Sequence, residues 1–248
     1  MIGKVTVLSV NLNKIALLRN SRGHDYPHVL TMAERAITAG AAGVTIHPRP
    51  DQRHATYQDV SDLKTWISKY PGKELNIEGY PSDKFMEVVL MAQPHQCTLV
   101  PDADNQLTSD HGWSLPQQTH LLQPFIGQLK GAGIRVSLFI DNKPEIAMAA
   151  LDTGTDRVEL YTGPYAEAYA ARQQSSVTLS YVQTAQAAVE SGLGINAGHD
   201  LDLDNLAHLI SEIPAIAEVS IGHALTAEAL DYGWEKTIER YVEILQQA

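Results

Sequence analysis

Eight short β-branched runs, each separated from the next by a stretch with helical spacing, constrain this chain more than any other feature. The runs are Thr6–Val10, Gly43–His47, Leu75–Glu78, Cys97–Val100, Arg135–Ile140, Arg157–Tyr161, Gly194–Ala197 and Glu218–Ile221. Apolar residues recur at helical spacing over Val29–Ala39, Val60–Tyr70, Lys84–Met91, Gln117–Lys130, Pro144–Leu151, Val177–Ser191, Leu203–Ser211 and Ala227–Gln246. Strand-then-helix alternation is the signature of a parallel sheet with helical crossovers. Several helices run into glycine just before the next strand, at Gly40, Gly133 and Gly192, as a left-handed helix end requires. Eight units in 248 residues match a (β/α)8 barrel, which typically takes about 250. The fold expected is therefore α/β, a single TIM barrel over residues 1–248 with extra short helices. An open doubly wound sheet is the rival, but no G-x-G-x-x-G follows the first run.

Composition narrows the function classes. A chain of this length buries a sizeable core without disulfides or metals, and Cys97, the single cysteine, reads as a small core residue. A net charge of −11 argues against a nucleic-acid partner, since phosphate neutralisation needs a basic patch. No charged-then-apolar leader and no long apolar span is visible, so a soluble cytoplasmic protein without a membrane partner is expected.

In a barrel, residues just beyond the strand ends build the active site. Here those positions are polar: Asn11, His47, Glu78, His199 and His223. His47 follows Ile46 directly and precedes Arg49, Arg53 and His54. Its imidazole suits proton exchange near neutral pH, and arginine matches phosphate with paired hydrogen bonds. Glu78 ends an apolar run, where a dry setting raises a carboxyl pKa towards that of a general base. Glu159 lies inside its run, so structural, orienting and catalytic roles all stay open. The seventh and eighth runs end in Gly198-His199 and Gly222-His223, where barrels often bind phosphate. One of Asn11, Asn13, Lys14 and Arg22 could hold a second anion, whereas Arg19 reads as a solvated loop charge. The long loop Pro101–Pro116, with Asp102, Asp104, Asp110 and His111, is a candidate cover. No H-E-x-x-H or Cys/His cluster stands among the ten histidines, leaving only His47, His199 and His223 as a conceivable metal set. No G-x-S-x-G elbow supports serine hydrolysis.

The segments Val10–Gly23, Val44–His54, Asn76–Glu78, Thr98–Pro101, Val136–Asp141, Val158–Gly163, Asn196–His199 and Ile221–Ala224 cover nearly the whole chain in order. Together they resemble the pyridoxine 5'-phosphate synthase family. The resemblance implies condensation of 1-deoxy-D-xylulose 5-phosphate with 3-amino-2-oxopropyl phosphate, without metal or organic cofactor, in a homo-octamer built as a tetramer of dimers. It puts acid/base catalysis on His47 and Glu78, and a proton donor at His199. Contacts to the pentulose phosphate fall on Arg49, His54, Thr108, Asn13 and Lys14. Contacts to the amino ketone fall on Asn11, Arg22, Gly222, His223 and Asp200, and Glu159 is counted with the substrate-facing set. The chain departs from the family pattern twice: Asn13-Lys14 replaces Asp-His, and Asp200 replaces glycine. The first exchange is expected to weaken an acceptor, the second to bring a carboxylate near a phosphate. Two rival functions remain: another barrel enzyme on sugar phosphates with Lys14 as a Schiff-base nucleophile, and a phosphate-ligand binder without turnover.

Overall fold

Each of the eight runs forms a strand, and the strands pair in parallel, in sequence order, until the last meets the first. The computed structural model describes residues 5–102, 106 and 108–247. The strands are β1 (Val7–Asn11), β2 (Gly43–Ile46), β3 (Glu74–Gly79), β4 (Gln96–Leu99), β5 (Arg135–Ile140), β6 (Arg157–Tyr161), β7 (Gly194–Gly198) and β8 (Ile216–Ile221). Around them lie α1 (Asn13–Asn20), α2 (Val29–Thr38), α3 (Tyr57–Ile67), α4 (Asp83–Ala92), α5 (Thr119–Gly131), α6 (Pro144–Ala150), α7 (Gly163–Ala170), α8 (Gln174–Glu190), α9 (Leu206–Glu212), α10 (His223–Tyr232) and α11 (Trp234–Gln247). This is a (β/α)8 barrel with additional short helices, so the open-sheet rival falls.

Successive residues of a strand face opposite sides of the sheet, and here the two sides differ sharply. Val10, Val44, Leu75, Leu99, Leu138 and Val158 join the apolar cluster under the helices, and Cys97 lies in the same layer. Their neighbours are polar and buried: Ser9, Thr45, Asn76, Gln96, Thr98, Ser137, Glu159, Asn196 and Glu218. Bonds spanning the barrel show that this second set points inward. Gln96 Nε2 donates to Glu218 Oε1 at 3.1 Å, and Thr98 Oγ1 donates to Glu159 Oε2 at 3.4 Å. Arg157 Nη1 lies 3.8 Å from Glu218 Oε2 and donates to Asn196 Oδ1 at 2.9 Å. Barrel interiors are usually filled by Val, Ile and Leu; this one is a polar column.

The expected segment Ala227–Gln246 is two helices, α10 and α11, broken at Gly233 with φ +84°. The short helices α1 and α7 have no expected counterpart. They bury only Ile15 with Ala16, and only Tyr165, too few residues to write a periodic stripe. Arg19 is not a solvated charge: it grips Asp59 with Nη1 at 2.5 Å and Nη2 at 2.8 Å. The same Asp59 forms a capping box with Thr56 at the start of α3, so one carboxylate ties α1 to α3. At the far end of α2, Gly40 takes φ +107° and Ala41 N–H donates to Ala36 C=O at 3.1 Å, closing the helix before β2.

Candidate active site

The carboxyl ends of the strands surround a cavity of about 500 Å³. Of the residues expected at the site, Asn11, Asn13, Lys14, His47, Arg49, His54, Glu78, Thr108, Glu159, His199, Asp200, Gly222 and His223 line it. Arg22 does not; it is exposed in the turn after α1. Arg53, Ser109, Phe139 and Ser220 also line the cavity. Ser220 follows Val219 on the inward side of β8, a position that strand alternation alone would have flagged. Asp104 in the expected cover loop lies outside the described residues.

His47 sits one residue past β2, buried, with its backbone fixed from α1: its N–H donates to Asn13 Oδ1 at 2.8 Å. Asn13 therefore keeps the acceptor that the exchange from aspartate was expected to weaken, because its amide oxygen remains in place. Asn13 N–H in turn donates to Asn11 Oδ1 at 3.0 Å. Burial, and then the charges of Arg49, His54 and Arg53, hold the His47 imidazole well below its ordinary range, so it is neutral at neutral pH. His54, its ring 6.0 Å from that of His47, is lowered to about 4, again by burial first and Arg49 next.

Glu78, one residue short of the end of β3, has the opposite shift. Burial and then the negative charges of Glu159, Asp102 and Glu218 push its carboxyl well above the ordinary range. Asn11 Nδ2 donates to Glu78 Oε2 at 3.3 Å and Ser220 Oγ to Oε1 at 3.5 Å. Glu159 lies deeper and is raised to about 8, by burial and then by Glu218. Gly198 leaves room for it: a Cβ there would stand 2.5 Å from Glu159 Oε1. One cavity is thus lined by an imidazole held towards its neutral, proton-accepting form and a carboxyl held towards its protonated form.

Arg49 is buried and ion-paired with Asp102, and its Nη1 donates to Gln106 C=O at 3.0 Å. Asp102 belongs to the loop after β4, so this pair draws that loop against the loop after β2. Trp113, fully buried farther along, anchors the same loop by donating from Nε1 to Leu99 C=O at 2.8 Å. Opposite, Gly222, His223 and Ala224 open α10 at the cavity wall. Backbone N–H groups of a first helical turn have no partner within the helix and favour anions. A Cβ on residue 222 would come within 2.9 Å of Asn11 Cβ, so glycine lets β8 and β1 close the wall. His47, His199 and His223 share the cavity, yet among the described residues no group of three His, Cys, Asp or Glu converges as a metal cage. No helix among them is long and apolar enough to cross a membrane.

Fold and site together define the class: a (β/α)8-barrel enzyme with one cavity at the carboxyl ends of its strands, lined by histidine, carboxyl and arginine side chains. The sequence profile of the family described as pyridoxal phosphate biosynthesis protein PdxJ matches residues 8–247, and the chain belongs to that family. A pyridoxine 5'-phosphate synthase from Albidiferax ferrireducens is 48% identical over 98% of this chain and 98% of its own. One from Brucella anthropi is 49% identical over 96% of this chain and 98% of its own. Among solved structures, the aminoacrylate-bound tryptophan synthase from M. tuberculosis aligns over 98% of this chain and 94% of that one with a TM-score of 0.66. At 10% identity that likeness is one of fold alone.

Proposed function

We propose that this chain synthesises pyridoxine 5'-phosphate by condensing 3-amino-2-oxopropyl phosphate with 1-deoxy-D-xylulose 5-phosphate, releasing inorganic phosphate and water. The substrate amine attacks the sugar ketone and an imine forms, so no enzyme lysine is needed as nucleophile. Proton shifts then drive loss of water and of the sugar's phosphate. Aldol-type closure and a last dehydration complete the aromatic ring. Each step moves protons. Neutral His47 takes them, Glu78 exchanges them as acid and base, and His199 delivers one to a departing oxygen. In this reading Arg49, His54, Thr108, Asn13 and Lys14 hold the pentulose phosphate. Asn11, Gly222, His223 and the backbone N–H of Asp200 hold the amino ketone, and Glu159 faces the shared space between them.

The observation that carries the reading is the convergence of His47, Glu78 and His199 on one cavity that also presents Arg49 and the first turn of α10. The decisive experiment mixes purified protein with both phosphorylated substrates, following product by chromatography and released phosphate by colorimetry. Wild type forms both; His47→Ala and Glu78→Ala each lose about 100-fold or more in kcat, the usual contribution of a positioned acid or base. A folded wild type that binds either substrate and releases nothing overturns the reading.

We assign the assembled protein to a cytoplasmic homo-octamer, a tetramer of dimers. Exposed Leu17 and Leu18 on α1 and Leu230 on α10 offer apolar faces for association. Light scattering tests the octamer by mass.

A further inference from the structure

Both ring nitrogens of His199 are held by side chains. Nδ1 lies 2.8 Å from Asp200 Oδ2, and Nε2 lies 2.9 Å from Thr108 Oγ1. The ring edge rests on Tyr161, with centroids 5.2 Å apart and planes at 78°. An ionised carboxylate can only accept a hydrogen bond, so the hydrogen between His199 and Asp200 sits on Nδ1. That bond is also the first cause holding the Asp200 carboxyl below its ordinary range. His199 and Asp200 take φ of +89° and +58°, left-handed backbone that glycine adopts freely and other residues sparingly. The non-glycine residue at 200 therefore turns its carboxylate onto the neighbouring imidazole, whereas the sequence pattern led us to expect that charge beside a phosphate.

We infer that Asp200 is the positioning residue of His199: its carboxylate fixes the Nδ1–H tautomer and leaves Nε2 aimed into the cavity beside Thr108. The inference rests on the proposed reaction, in which His199 is the proton donor. Protonated His199 breaks its Nε2–H bond as an O–H bond forms on the substrate hydroxyl. The C–O bond then breaks with its electron pair on the departing water. His199 returns to the neutral Nδ1–H form that Asp200 already holds, so no tautomer change or ring flip intervenes between turnovers.

The test uses full-length protein with 15N-labelled histidine, at a pH high enough to record the neutral ring, with the His199 signals identified by their loss in His199→Asn. Wild type shows the Nδ1–H tautomer. Asp200→Asn and Asp200→Gly, the second restoring the family's residue and relieving the left-handed backbone, both show a mixture with the Nε2–H form. In turnover the two variants lose roughly tenfold or more in kcat, while KM for either substrate stays within about twofold, as expected for a group acting only through a reacting residue. An unchanged tautomer in both variants overturns the inference, and so does a raised KM at constant kcat, which would make Asp200 a substrate ligand. A wild type that makes no pyridoxine 5'-phosphate removes the reaction instead, and the tautomer spectrum still decides whether Asp200 orients His199.

Discussion

Asn13 shows how much a single amide does at this site. It holds the backbone of His47 from a different element, across 34 positions of sequence. Asn13→Ala leaves the buried His47 N–H without its acceptor, a loss of about 1–3 kcal/mol, and loosens the imidazole. We expect urea unfolding to shift by that amount and kcat to fall, with Asn13→Asp restoring both; if Asn13→Ala leaves stability and kcat intact, the bond is idle. The strand-end residues were legible because each directly follows an apolar run and the barrel assigns that place to chemistry. Their partners were not. Arg49 with Asp102 and Arg19 with Asp59 pair over 53 and 40 positions, and only loop packing selects those carboxylates among the acidic residues available.

The loop between β2 and α3 is set by its helix. Thr56 Oγ1 accepts from Asp59 N–H at 3.2 Å, and Asp59 Oδ2 accepts from Thr56 N–H at 2.7 Å. This fixes where the chain leaves the mouth two residues after His54. Thr56→Ala should cost about 1 kcal/mol, a fall in Tm of about 2–4 °C for a chain of this size; an unchanged Tm would show that Arg19 alone holds Asp59. At this scale the sequence spoke clearly wherever a stripe or an alternation was long enough. Two strands, β5 and β6, keep the expected bounds and the other six differ by one or two residues at an end, because strand ends rest on single hydrogen bonds. The helices α1 and α7 leave no period in the sequence because each buries too little. The break between α10 and α11 rests on Gly233, whose left-handed φ no hydrophobic pattern records.

Along the barrel axis Glu78, Glu159 and Glu218 share a buried polar column, and each is pushed above the ordinary carboxyl range. A carboxyl raised on folding stabilises the protein most below its unfolded value of 4.5, and that stability is lost as pH rises towards the folded value, about 8 for Glu159. Glu159→Gln should therefore gain Tm over wild type progressively between pH 5 and 9, with the two melting most alike at the acid end; a constant difference would mean that Glu159 ionises freely. The column runs inside an apolar sleeve formed where the outward strand faces meet the helices. The molecule thus has two interiors, and strand pleating writes them on alternate letters of the same eight words. Drift in the inner letters can redirect the chemistry at the mouth without loosening the sleeve, and drift in the outer letters can adjust thermal tolerance while leaving the reactive groups where they stand.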